Sequence, residues 1–171
     1  MRKLIVLSKD YENQYEKYIN RFQNLKMEID IANRRTLSFD AYLNLLQQNA
    51  SFEMNNTIVR DVFFLLVNGD IIGVMDFRYN LDAHYNQSRG NVGIEILPEF
   101  QKQGHGKWLL QQAIKIARER GMQKLLLVCD EENIASEELI LSCGGLYEDT
   151  RKGKNENVKR FLLETDKKRE A

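Results

Sequence analysis

The chain has 171 residues, with Lys+Arg and Asp+Glu balanced at 25 each, 43% hydrophobic and 29% charged residues. That mixture excludes a disordered, collagen-like or low-complexity chain. Zero net charge with a pI near 6.8 argues against a general nucleic-acid binder, which carries a clear basic excess. 

The length suits one domain spanning 1–171, and neither a repeat nor a Pro/Gly/Ser-rich linker divides it. No apolar run approaches the roughly 20 residues needed to span a bilayer. Leu4-Ile5-Val6-Leu7 is too short for a signal-peptide core, and Asp10 and Glu12 follow at once. The expectation is a soluble cytoplasmic protein without membrane contact. Cys129 and Cys143 then read as reduced, buried thiols, since both sit in apolar patterns. His84, His105, Cys129 and Cys143 are too dispersed for a zinc site, so no metal is expected.

In chain order, residues 3–7 read as a strand. Tyr11, Tyr15, Tyr18, Ile19, Phe22 and Leu25 recur at helical spacing and predict an amphipathic helix over 10–25, its tyrosines in the core. A second helix is expected after Ser38 as N-cap, carrying Tyr42, Leu43, Leu45 and Leu46. Residues 50–60 read as loop. Two apolar runs, 61–67 and 71–77, flank Asn68-Gly69, a strong hairpin signal because the tight turn needs positive φ. Residues 79–90 are polar and read as loop. A strand over 92–97 ends at Pro98, the only proline.

The clearest helix runs from Gly104 to Arg120. Leu109, Leu110, Ala113, Ile114 and Ala117 form its buried stripe, and Gly121 stops it. Lys124–Cys129 is a continuously apolar strand, and Asn133–Cys143 a helix closed by Gly144-Gly145. Two strands, 146–149 and 158–165, are joined by a charged loop whose Arg151-Lys152-Gly153-Lys154 reads as a solvated tip. The order β-α-α-β-β-β-α-β-α-β-β, with a right-handed crossover in the middle, describes a mixed α/β sheet domain.

The chemistry is concentrated in Pro98-Glu-Phe-Gln-Lys-Gln-Gly-His-Gly-Lys107. A strand runs into a loop with two glycines, and the loop opens onto a long helix. N–H groups at a helix N-terminus form an anion site, and Gly lets a phosphate approach the main chain. Gln101, Lys102 and Lys107 add donors and positive charge. The Gly-Lys-Ser/Thr ending of a P-loop is absent, as is the third glycine of a dinucleotide fingerprint. The competing reading is that the two glycines only turn the chain.

Gln101-x-x-Gly104-x-Gly106 resembles the Arg/Gln-x-x-Gly-x-Gly/Ala motif of the GNAT superfamily of acetyl-CoA-dependent N-acetyltransferases. Leu97-Pro98 precedes it where that family ends its fourth strand. Asn133-Ile-Ala-Ser136, followed by Gly144-Gly145, is similar to the family's stretch after the fifth strand, and to a bacterial subgroup of predicted acetyltransferases. The resemblance covers about residues 60–150. It implies a GNAT fold: a mixed, mostly antiparallel central sheet with a parallel splay between the fourth and fifth strands, and helices on both faces. It also implies acetyl-CoA as cosubstrate, a small-molecule or peptide amine as acceptor, and a possible homodimer.

Carried over by position, the backbone of Ile96, Leu97 and Pro98 binds pantetheine. The loop Gln101, Lys102, Gln103, Gly104, His105, Gly106 and Lys107 holds the pyrophosphate. Asn133 and Ser136 contact the cofactor arm, with Asn133 also a natural helix N-cap. An N–H near Ile96 or Leu97 polarises the thioester carbonyl.

The family's usual tyrosine acid is replaced by Ile140, with Tyr147 and Tyr85 as conceivable substitutes. Glu95, a carboxylate in an apolar strand, is the candidate general base; the alternative is an exposed or ion-paired Glu. Asp130-Glu131-Glu132 either attracts a cationic amine or only complements a helix N-terminus. His84 reads as an ordinary loop residue and His105 as exposed. Two rival readings are a CoA-binding module without turnover, suggested by Ile140, and a nucleotide-phosphate-binding α/β domain.

Overall fold

A computed structural model describes residues 1–23, 37–51 and 58–166. The end of the expected first helix (24–25) and most of the expected loop 50–60 lie outside the described residues. The elements are β1 (Arg2–Val6), α1 (Glu12–Gln23), α2 (Phe39–Ser51), β2 (Arg60–Val67), β3 (Asp70–Arg78), α3 (Ala83–Ser88), β4 (Val92–Ile96), α4 (His105–Glu119), β5 (Lys124–Asp130), α5 (Ile134–Ser142), β6 (Leu146–Lys152) and β7 (Asn157–Glu164).

Local chemistry accounts for most boundaries. The Ser38 hydroxyl accepts from the Ala41 N–H at 3.2 Å, capping α2. Asn68 and Gly69 take φ of 50° and 90°, closing the β2–β3 hairpin as its sequence required. Gly121 leaves α4 at φ 72°.

The strands form two sheets, β1-β2-β3-β4 and β5-β7-β6, with every ladder antiparallel. One face of the first sheet packs Ile5, Phe64 and Val74 against Tyr15, Tyr18 and Tyr42 of α1 and α2. Its other face carries Leu65, Met75 and Phe77 into a core shared with Leu109, Leu110 and Ala113 of α4 and with Leu125, Leu127 and Phe161 of the second sheet. Helices therefore cover both faces. No helix among the described residues is long and apolar enough to cross a membrane.

Three expectations change and one is left open. The parallel course expected for the β4–β5 splay is not confirmed: no ladder joins the two strands, and the isolated bridge just before β4, Gly90 with Leu127, is antiparallel. The stretch 79–90 contains α3, started by Asp82, whose carboxylate accepts from the Tyr85 N–H at 2.9 Å. This helix has no buried residue and hence no apolar stripe to betray it. The β6–β7 strands extend further than expected, leaving only 153–156 as the tip. Cys143 is half-buried at the C-cap of α5 rather than inside the helix.

Candidate functional site

The site grows out of the junction between the two sheets. Asn91 is buried, and its backbone N–H donates to Leu126 O at 2.7 Å while its Oδ1 accepts from the Leu126 N–H at 2.8 Å. On the other side its Nδ2 donates to Arg78 O and its carbonyl accepts from the Arg78 N–H. Beyond this point β4 and β5 diverge. A cavity of about 240 Å³ occupies the wedge, lined by Gly93 and Ile94 of β4, Val128–Asp130 of β5, Asn133, Ser136 and Ile140 at α5, and Arg78 at the end of β3.

The β4 backbone is divided by its ladder. Leu97 donates its N–H to Ile72 O at 2.9 Å, so that donor is spent. Antiparallel pairing alternates, so the N–H groups of Ile94 and Ile96 turn away from β3, toward the wedge. Of the two expected oxyanion donors, geometry leaves Ile96. Its carbonyl accepts from Gln101 Nε2 at 2.9 Å, so the motif glutamine braces the strand end.

Pro98–Phe100 makes one 3₁₀ turn, then Lys102 and Gly104 adopt left-handed φ of 57° and 79°. Gly104 is the N-cap of α4 and offers no side chain to cap it. The first helical bond runs from the Trp108 N–H to Gly104 O, so the N–H groups of His105, Gly106 and Lys107 have no intrahelical acceptor. The Lys102 and Lys107 side chains are exposed beside them. A Cβ on Gly106 would stand 3.3 Å from Leu139 of α5, so a bare Cα allows that close approach. The loop is thus a ready anion cradle.

His105 is buried, contrary to the sequence reading. Arg2 of β1 donates Nε to His105 Nδ1 at 3.0 Å and Nη2 to Gln103 O at 3.1 Å. Burial, then the Arg2 charge, lowers the imidazole pKa, so the ring is neutral and accepts at Nδ1. A bond between residues 103 positions apart has no local sequence signal.

At α5, Asn133 Oδ1 accepts from the Ser136 N–H at 3.1 Å, the N-cap geometry expected, and both residues line the wedge. Ile140 is buried there, so the tyrosine position is apolar. Tyr147 is 57% exposed on β6, its hydroxyl bonded to Thr150, and is not part of the cavity wall. Cys129 is buried in the wall; burial and, secondarily, Glu137 push its thiol up to about 11. Asp130 lines the wedge, whereas Glu131 accepts from Asn157 Nδ2 and ties β5 to β7. His84 is exposed on α3.

Glu95 sits opposite Val74, half-buried on the α1–α2 face. Next to it a buried charged cluster went unforeseen. Asp76 Oδ2 accepts from Arg78 Nε at 3.0 Å and Arg60 Nη1 at 3.2 Å, and lies 2.8 Å from Arg78 Nη2. Tyr85 of α3 accepts from Arg60 Nη2 at 2.8 Å, and its ring lies beneath both guanidinium groups. Its oxygen is therefore held by Arg60. Among the described residues no group of three His, Cys, Asp or Glu could hold a metal ion.

The sequence profile of the acetyltransferase (GNAT) family matches residues 20–144. The chain belongs to this family. It is an acyltransferase of the GNAT fold, and solved structures agree. A GNAT acetyltransferase from Streptococcus pneumoniae is similar with TM-score 0.69 at 18% identity, over 96% of this chain and 99% of that one. A chimera of spermidine N-acetyltransferase from Vibrio cholerae and hSSAT gives 0.65 at 18% identity, over 96% and 95%. A microcin self-immunity acetyltransferase, solved with acetyl-CoA and AMP, gives 0.67 at 17% identity, over 95% and 92%. No curated protein sequence matches significantly.

Proposed function

We propose that the protein moves an acetyl group from acetyl-CoA to a primary amine by direct attack, with both substrates bound at once. The observation that carries this reading is the uncapped start of α4, which opens beside the β4–β5 wedge. The N–H groups of residues 103–107 take the pyrophosphate, and the pantetheine arm runs along Ile96, Leu97 and Pro98 toward Asn133 and Ser136. The microcin-immunity relative, solved with acetyl-CoA, supports the choice of cosubstrate.

In the wedge the amine nitrogen attacks the thioester carbonyl, the Ile96 N–H stabilises the developing oxyanion, and the C–S bond breaks. Joint binding supplies much of the rate through positioning. The thiolate leaves without an acid from position 140, because a thiol pKa of about 8.5 makes it a tolerable leaving group. Glu95 takes the proton that the amine must lose. The same reading favours the cytoplasm, where the two free cysteines stay reduced.

Thiol release from acetyl-CoA across a panel of amines tests the activity; acetyl-CoA binding without release from any amine would favour a non-catalytic CoA module. Once an acceptor is known, Glu95→Gln is expected to lower turnover roughly 10²–10⁴-fold, recovering as pH rises and free amine appears. A variant that tracks the parent at every pH removes Glu95 from the mechanism.

A further inference from the structure

The charged cluster at the β3 end is not closed on itself. A guanidinium has five N–H donors. In Arg78, Nε donates to Asp76 Oδ2, the two N–H groups on Nη1 go to Arg89 O and Gly90 O, and Nη2 lies 2.8 Å from the same Asp76 oxygen. One Nη2 N–H has no acceptor among the described residues. Asp76 Oδ1 is likewise buried without a partner. Both residues are only 3% exposed, so each unspent atom costs free energy unless something completes it.

Position explains what can complete Arg78. Asp76 is paired with Gly93, and in an antiparallel ladder paired residues share a face. A Cβ on Gly93 would stand 3.1 Å from Arg78 Nη2, the atom with the unspent donor. The bare glycine therefore leaves that donor uncovered, and both Arg78 and Gly93 line the wedge cavity. Glu95 follows two residues along on the same face, its Cα about 7 Å from that of Gly93. A guanidinium donor open to the wedge matches an acceptor that carries an anion beside its amine. It does not match an extended diamine, which has no anion for Arg78.

We propose that the acceptor amine carries a carboxylate beside it, as a free α-amino acid does, and that Arg78 binds this carboxylate across Gly93. The inference rests on the wedge being the acceptor site, and it names the substrate class. Arg78 suits this role because its fork stays fixed by Asp76 and by two carbonyls while one N–H remains for the ligand. Tyr85 and Arg60 hold the other side of the cluster. Arg78 thereby discriminates between amines that have equal nucleophilicity.

The test measures binding, so that its failure and a failure of catalysis are distinguishable. The full chain, saturated with CoA, is titrated calorimetrically with the common amino acids, their amides, and the amines left when the carboxylate is removed. At least one amino acid is expected to bind tenfold or more tighter than both its amide and its decarboxylated amine. Gly93→Ala, which covers the Nη2 donor and leaves every charge in place, is expected to erase most of that preference. Arg78→Lys should do the same while keeping the charge. Thermal unfolding confirms that the variants fold; if Arg78→Lys does not, Gly93→Ala decides. Amides or bare amines binding as well as every amino acid, or a preference unchanged in folded Gly93→Ala, overturns the proposal.

Discussion

Two helices start at the same wedge and start differently. At α5 the Asn133 side chain accepts from the Ser136 N–H, the third of the helix, and the Ile134 N–H turns to Glu132 O, so this end is capped from within the chain. At α4 the N-cap is Gly104, with φ 79° and no side chain, so the leading donors are left open. Capping by Asn, Asp or Ser is the cheap solution, worth about 1 kcal/mol. Its absence at α4, beside two left-handed residues and two lysines, marks the end kept open for an anion. Its presence at α5 marks an end that shapes the cavity wall. Sequence spacing alone does not separate the two, since both segments follow a strand and a short loop.

The contrast can be broken most directly at Gly104. Asn tolerates a left-handed φ better than most residues, so Gly104→Asn should keep the loop path while placing a side chain where phosphates approach. Acetyl-CoA affinity, measured by calorimetry, is expected to fall by roughly 10–100-fold with little change in melting, the scale of a few lost charge-assisted bonds. Equal affinity in the folded variant would remove the anion role from α4.

The reciprocal change at α5 is smaller and of another kind. Asn133→Ala is expected to cost about 1 kcal/mol of stability, read by denaturant unfolding, and to weaken acetyl-CoA only a few-fold. A larger loss of affinity than of stability would show that the two helix starts share the cofactor.

A third prediction concerns the loop's support. His105 has its pKa lowered in the fold, so the unfolded chain binds more protons once pH drops below the free value near 6.5. The stability contributed by the Arg2–His105 contact is present above that pH and is lost as pH falls toward the folded pKa. Melting temperature should decline more steeply below pH 6.5 in the parent than in His105→Asn, which accepts from Arg2 without titrating near that pH. Parallel curves would show that the contact carries no such coupling.

The smallest effect is expected at Cys129. With its thiol pushed up to about 11, alkylation should be slow at neutral pH, accelerate only under alkaline conditions, and slow further with acetyl-CoA in the wedge. Cys129→Ser should leave turnover within a small factor. Rapid neutral alkylation, or a trapped acetyl-cysteine, would contradict this.

What the sequence disclosed and what it hid divide along physical lines. Asn68-Gly69, the Ser38 cap, the stop at Gly121 and the Gly104–Gly106 loop are determined within a few residues, and each sits where spacing put it. The helix α3 escaped because it buries nothing, although Asp82 three residues before Tyr85 is a capping signal. The Arg2–His105 bond and the Asp76–Arg78–Arg60 cluster escaped because they are made by tertiary packing. In the sequence Arg60, Asp76 and Arg78 were merely charges in or beside apolar strands, and their ion pairing is visible only when β2 and β3 pair. The division of β4 into spent and open N–H groups likewise depends on register, which sequence leaves undetermined here.

The junction at Asn91 has a mechanical consequence. Between β4 and β5, the contacts lie at Gly90–Asn91 and Leu126–Leu127, where one amide side chain serves both sheets. A ladder would resist separation along its whole length, each rung adding stiffness. A joint confined to one end acts as a pin: a change in the wedge's width would break no rung of either sheet, only contacts of the core the two sheets share with α4. The aperture is then set by the side chains that meet across it, and the backbone contributes mainly the pivot.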